Sequence, residues 1–326
     1  MPMFIHRVWV VAIFVLLAAG AVFLPPGEAQ PNTVKQIASG VWFREGDLRN
    51  EGHCNNVIVE MNDHLIVVDA NFPSGARAAL ADAKKVSAKP VKYVFDTHHH
   101  GDHAYGNPVW TKLGAITLAH AGVAEEMKRF EPERWRQAAK QRKDVAELNL
   151  ATAEPPKQTF SKSPHVIEDA TRRVEFHFFG WAHTRGDGFV YLPKEKIVCT
   201  GDAVVNGPYN FTADANLGNW PSVVRAVQKL DVQHVLPGHG GPGGKEVLQG
   251  QLQFFLELQK AVSDARRQGK KLDELVTMKD GSPRATSVKL PDNVSNWVGD
   301  FLAAQVRDAY EEQRQGKPRG DLTLPR

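Results

Sequence analysis

Four side chains able to hold a metal fall close together in Thr97-His98-His99-His100-Gly101-Asp102-His103, namely His98, His100, Asp102 and His103. Packed this tightly, imidazoles and a carboxylate repel their like when charged and waste hydrogen-bonding capacity when buried. A divalent cation removes both problems, because neutral imidazole and carboxylate are good ligands for Zn²⁺ and similar ions. The run follows Val91-Lys92-Tyr93-Val94-Phe95, an apolar strand pattern. Residues at i, i+2 and i+4 near a strand end share one side, so His98, His100 and Asp102 are expected to converge while His103 turns to a neighbouring position. That layout suggests two adjacent metals rather than one.

Three further candidate ligands appear in order, each at the end of a strand pattern and each beside glycine. They are His183 in Gly180-Trp181-Ala182-His183, Asp202 in Thr200-Gly201-Asp202, and His239 in Pro237-Gly238-His239-Gly240. Glycine lets the backbone turn sharply and come close to a compact site. A ligating imidazole usually donates its free N–H to a carboxylate or carbonyl, which makes Asp69 and Thr97 candidates for holding the ligands from behind. His99, between two ligands, should point the other way.

The elements that must position these residues can be read from hydrophobic period. Val57-Ile58-Val59-Glu60 and Leu65-Ile66-Val67-Val68-Asp69 form a hairpin pattern across Met61-Asn62-Asp63-His64, and residues 76–86 read as an Ala-rich helix before the ligand-bearing strand. Residues 122–148 are charged with helical spacing. Residues 173–179 alternate like a half-buried strand, and residues 189–192 and 196–199 read as a second hairpin. A helix over 222–230 precedes a strand over 233–236. The remainder reads as helical, with one stripe through Leu248, Leu252, Phe255, Leu258 and Val262 and another through Trp297, Phe301, Val306 and Tyr310; the polar end from about Gln315 is expected to be loose.

The chain has 326 residues, 42% hydrophobic and 24% charged, enough for a sizeable core in one large domain or two ordinary ones. A formal charge of +3, with Lys and Arg scattered, argues against a nucleic-acid partner. Residues 1–29 stand apart: Arg7 precedes an apolar run from Val8 to Leu24, then Pro25-Pro26 and Gly27-Glu28-Ala29. That is the layout of a secretory signal peptide, with an uncleaved membrane anchor as the alternative, so a periplasmic or secreted body is expected. Residues 30–245 then form the catalytic domain and 246–326 a C-terminal helical extension packed on it. Cys54 and Cys199 are the two cysteines; sequence does not say whether they pair, and Cys199, in an apolar strand, fits a buried thiol.

From Asp69 to His239, the order and spacing of these motifs resemble the metallo-β-lactamase-fold hydrolase superfamily. The resemblance implies an αββα sandwich of two mixed sheets with outer helices and the site at one edge. It implies that His98, His100 and His183 hold one metal, that Asp102, His103 and His239 hold a second, and that Asp202 bridges them. Two Zn²⁺ ions are expected, with iron or manganese as alternatives. Cations about 3.5–4 Å apart can share a water and lower its pKa, and Asp102 would orient the resulting nucleophile for attack on a carbonyl. Relatives of this kind hydrolyse β-lactams, lactones, thioesters, phosphodiesters or sulfate esters, and some are oxidases or dioxygenases.

One group of β-lactamases has Cys at the bridging position and Lys soon after; here Asp202 is followed by Ala203-Val204-Val205-Asn206. A small ester-, lactone-, thioester- or amide-like substrate is therefore expected, with β-lactam cleavage second and a non-catalytic metal-binding accessory of a redox system third. Substrate contacts are expected from Tyr209 and Asn210 in the loop after Asp202, and from His53 and Asn56 in the first hairpin region.

Overall fold

The computed structural model describes residues 31–323. Seven strands form the first sheet in chain order: β1 (Val34–Ala38), β2 (Val41–Arg44), β3 (Asn56–Glu60), β4 (Leu65–Val68), β5 (Val91–Asp96), β6 (Ile116–His120) and β7 (Gln158–Phe160). Pairing is antiparallel from β1 to β4 and parallel from β4 to β7. The second sheet, in spatial order β12-β11-β10-β9-β8, comprises β8 (His165–Glu168), β9 (Arg173–Phe178), β10 (Gly188–Leu192), β11 (Ile197–Gly201) and β12 (His234–Pro237). Only its β11–β12 pair is parallel.

Both sheets are apolar on both faces, as burial between layers requires. Alternation along β3 shows this. Val57 and Val59 face Phe176, Val190 and Leu236 across the sandwich, whereas Ile58 faces the outer helices with Ala76, Ala79 and Trp110. The helices on that side include α1 (Leu48–Glu51), α2 (Pro73–Val86), α3 (Gly101–Ala104), α4 (Asn107–Thr111), α5 (Ala121–Gln141) and α6 (Lys143–Ala146). The second sheet is covered by α7 (Trp220–Val227), α8 (Lys245–Arg267), α9 (Leu272–Leu275) and α10 (Leu302–Gln315). Phe189, Val198 and Val235 share one core with Trp220, Phe255, Leu258 and Val306, so the C-terminal segment packs on the second sheet without a break. The result is the αββα sandwich.

Three readings of the C-terminal segment need correction. Val276–Lys279 and Ser282–Thr286 form a hairpin, β13–β14, rather than helix. Its turn is Asp280-Gly281, both at positive φ (52° and 75°), the backbone a two-residue hairpin loop requires. Trp297 lies in a 3₁₀ turn and Phe301 is exposed, so they do not continue the α10 stripe. Residues after Gln315 are anchored, because Arg319 is 1% exposed and its Nε donates to Asp308 at 2.7 Å. The N-terminal leader lies outside the described residues. Cys54 and Cys199 are both buried and unpaired, and burial pushes the Cys54 thiol up to about 12.

Candidate metal centre

All seven candidate ligands meet at one edge of the sandwich. His98 and His100 follow β5, His183 sits in the β9–β10 loop, Asp202 follows β11 and His239 follows β12. The donor nitrogens of His98, His100 and His183 lie within 4.8 Å of one another, and Asp102, His103 and His239 form a second such group. His183 Nε2 is 3.0 Å from His100 Nδ1, and His239 Nε2 is 3.0 Å from Asp102 Oδ2.

Asp202 stands between the two groups. Its carboxylate lies 4.0 and 3.9 Å from Nε2 of His98 and His183 on one side, and 3.4 Å from Nε2 of both His103 and His239 on the other. The strand-end expectation that Asp102 joins His98 and His100 is corrected here. The strand stops at Asp96, and the single helical turn α3 carries Asp102 and His103 over to His239. Close approach of the backbone makes this compactness attainable. A Cβ at Gly238 would stand 2.4 Å from Asp202 Oδ1, and one at Gly201 (φ +49°) would stand 2.4 Å from Thr97 Oγ1.

Hydrogen bonds from outside fix which ring nitrogen faces inward. Carboxylate and carbonyl oxygens only accept, so His103 Nδ1–H donates to Asp69 (2.9 Å), His100 Nε2–H to Asp214 (2.8 Å) and His183 Nδ1–H to the Phe211 carbonyl (2.9 Å). Thr97 gives its hydroxyl proton to Asp69 at 2.7 Å, so at 3.1 Å it can only accept from His98 Nδ1–H. The inward nitrogens of His98, His100 and His183 therefore carry lone pairs. Among the described residues His98 Nε2 and Asp202 Oδ1 are buried without a hydrogen-bond partner. Inward lone pairs and orphaned buried acceptors are what a divalent cation satisfies, so the residues fit a metal.

The two groups differ in charge. Burial holds His183 at about 3 and His98 well below the usual imidazole range, reinforced by neighbouring imidazoles, so both are neutral. Burial also disfavours charge on His239, but Asp202 and Asp102 outweigh it and lift that imidazole to about 9. His103 is raised in the same way by nearby anions. Asp102 and Asp202 are held well below the usual carboxylate range, burial notwithstanding, by His103 and His239.

A cavity of about 540 Å³ opens beside His239, lined by Glu45, Asp47, Leu48, Arg49, Asn55 and Tyr209 among others. Tyr209 sits at the expected rim, its ring centre 6.1 Å from that of His239. His53, Asn56 and Asn210 do not, being 5%, 1% and 1% exposed. His53 Nε2 is 2.7 Å from Ser74 Oγ, Asn56 Nδ2 donates to the Asp69 carbonyl, and Asn210 Oδ1 accepts from Gln251. The rim is formed instead by the segment entering α1, while residues 53–56 turn inward to start β3. Asp214 and Arg134 are the support residues that sequence reading missed. Arg134 donates to Asp214 at 2.6 Å and lies 2.9 Å from His99 Nε2, which accounts for the outward-facing histidine. Only the requirement that each ligating imidazole has an outer partner could have called for such a residue.

Comparisons with known proteins agree with this geometry. A curated relative, the 2,4-dinitroanisole O-demethylase subunit alpha of Nocardioides sp. (strain JS1661), is 23% identical over 260 residues, covering 78% of this chain and 72% of its own. The chain is similar in structure to a metallo-beta-lactamase from Pontibacter korlensis, with TM-score 0.55 and 24% identity over 69% of this chain and 98% of that one. It is similarly close to the metallo-beta-lactamase FIM-1 from Pseudomonas aeruginosa in its mono-zinc form, with TM-score 0.55 and 25% identity over 71% and 98% of the two chains. A family model described as the metallo-beta-lactamase superfamily matches residues 49–239, which hold all seven candidate ligands, and the chain belongs to that superfamily.

Proposed function

We propose that the protein is an exported, dinuclear zinc-dependent hydrolase of a small molecule bearing an ester, lactone, thioester or amide carbonyl. The observation that carries this reading is the position of Asp202, within 4.0 Å of ligands from both groups. Two cations held there would supply Lewis acidity and a hydroxide nucleophile at neutral pH. Asp202 keeps the two ligand groups in register. Asp102 offers a partly exposed carboxylate beside His239 that can accept a hydrogen bond from the attacking water and orient it. Leu48 and Tyr209 give the entrance apolar walls, and its volume suits a small substrate rather than a polymer. Iron or manganese would also accept this donor set. Export rests on the N-terminal leader pattern alone.

The curated relative favours a second electrophile. Its name assigns it to O-demethylation of an activated aryl methyl ether, a bond that the same nucleophile could open by attack on the ring carbon. β-Lactam cleavage draws support from the likeness to named metallo-beta-lactamases, but this chain has no lysine in Ala203-Val204-Val205-Asn206. A non-catalytic accessory role is disfavoured because no ligand of either group is missing.

Zinc-loaded protein should be assayed against a chromogenic ester, a lactone, a thioester, a β-lactam and 2,4-dinitroanisole. Turnover of at least one, abolished by chelation and restored by zinc, is expected. No turnover of any by protein holding two zinc ions per chain would overturn the hydrolase reading, and at most one ion under excess zinc would overturn the dinuclear one.

A further inference from the structure

The loop after Asp202 alternates between two tasks within five residues. The Phe211 carbonyl accepts from His183 Nδ1, and the Asp214 carboxylate accepts from His100 Nε2. Between and beside them, Asn210 and Thr212 face the other way, into the C-terminal segment. Gln305 Nε2 donates to the Asn210 carbonyl at 2.6 Å, and Thr212 Oγ1 donates to Asp308 Oδ2 at 2.7 Å. Further along, Glu312 accepts from the backbone N–H groups of Leu217 and Gly218, and the N–H of Gly320 donates to the Ala215 carbonyl.

These anchors are rigid. Gln305 and Asp308 are each 1% exposed, and Asp308 Oδ1 is fixed by Arg307 and Arg319 at 2.9 and 2.7 Å. A buried carboxylate between two guanidinium groups has little freedom, because leaving any partner unpaired there is costly. The loop is thus clamped from behind by α10 and the turn following it, while its front face sets two of the three imidazoles around the first metal position. The second group draws its outer partner from Asp69, at the end of β4 in the first sheet. It meets this loop at its near end, where the Asn206 N–H donates to the His239 carbonyl, away from Asn210 and Thr212.

The geometry points to Gln305 and Asp308 as positioning residues for the first metal position only: the C-terminal segment acts through Asn210 and Thr212 to aim His183 and His100. This rests on the metal reading given above. The segment lies beyond the residues matched by the superfamily model, which end at 239.

Deleting α10 would strip the core, so the test uses near-isosteric changes. The double variant Thr212→Val with Gln305→Met removes both anchors and leaves every ligand in place. Zinc affinity is measured by chelator competition in two backgrounds, His239→Ala, which leaves the first group to be read, and His100→Ala, which leaves the second. The double variant is expected to weaken zinc about tenfold in the His239→Ala background, the low end of what losing an outer partner costs, and to change it less than about twofold in the other. Equal weakening in both backgrounds would mean a general structural role and would overturn the inference, as would no change in either. If the His239→Ala protein with intact anchors binds no stoichiometric zinc, the metal reading itself falls and this inference with it. That outcome is distinct from normal binding without selective loss, which overturns the inference alone.

Discussion

Asp202 stands between the two candidate ligand groups, which are supported by different parts of the chain. The second group leans on the first sheet. Asp69 accepts from His103 with one oxygen and from the Thr97 N–H and hydroxyl with the other, linking the ends of adjacent parallel strands. Two of the three imidazoles of the first group lean on what surrounds the sheets: Asp214 and Phe211 from a long loop, Arg134 from α5, and the α10 segment behind them. His98 rests on Thr97 at the strand end. The charge states differ as well. Burial keeps His98 and His183 neutral and able to receive a cation, whereas His103 and His239, beside carboxylates, hold protons that a metal would have to displace. One half of the site is thus built by strand geometry, and the other by packing of later segments.

The shared residue gives the largest expected effect. Asp202→Ala should weaken zinc in both groups, each by more than the roughly 100-fold upper range for outer partners, because a ligand itself is removed. Equilibrium dialysis would then find fewer than two ions per chain at zinc concentrations that saturate the parent protein. Loss from only one group would show that Asp202 does not bridge. Single-ligand changes should separate the halves: His183→Ala and His239→Ala are each expected to leave one ion, bound in different surroundings. Cobalt substitution reports this, since absorption spectra of the two variants should differ and add up to that of the parent. Identical spectra would mean a single shared position.

The outer partners come next. Asp69→Asn should weaken the second group by about 10–100-fold and the first less, through Thr97 and His98. Asp214→Asn should weaken the first by about 10–100-fold and leave the second nearly unaffected. Titration in the two single-group backgrounds reads this directly. A cross-effect of equal size would erase the distinction between a sheet-supported half and a loop-supported half.

Sequence was a good guide to one half and a poor one to the other, for the same physical reason. Ligands at strand ends beside glycine are legible because period and turn chemistry are local, and Asp69 and Thr97 were readable as supports because they end neighbouring strands. Asp214 and Arg134 carry no local mark. Each becomes a support only when a loop and a helix far apart in sequence pack together. Strand alternation alone puts Asp102 with His98 and His100, because it continues past Asp96 into what is a helical turn. The family resemblance puts it with His103 and His239, where it lies. His53 and Asn56 were assigned to the rim because the chain's inward turn after α1 has no signature in residue type. The Asp280-Gly281 hairpin, by contrast, had a turn signal that helical expectation overrode. Arg319 looked like part of a solvated end, and only its partner Asp308 in α10 explains its burial.

The last expected effect concerns the loop-supported half and its sensitivity to pH. Glu131 on α5 is buried, receives the Tyr105 hydroxyl, and lies 3.8 Å from Arg134, the residue that holds Asp214. Burial raises its pKa to about 7, against the opposing pull of Tyr105 and Arg134, from 4.5 for an ordinary glutamate. The folded protein therefore keeps a proton there that the unfolded chain has already released. Between these two values the native state binds more protons, so this group makes stability fall as pH rises through that window and leaves it lowest above pH 7. Glu131→Gln keeps an acceptor for Tyr105 and removes the ionisation. Between pH 5 and pH 8 the parent should lose about 2.5 kcal/mol more stability than the variant, a difference of roughly 4 °C in Tm for a domain of this size. Parallel Tm profiles for the two proteins would show that Glu131 is ionised throughout, with Arg134 stabilising its charge more strongly than burial opposes it. The loop-supported half would then be no more pH-sensitive at this point than the sheet-supported one.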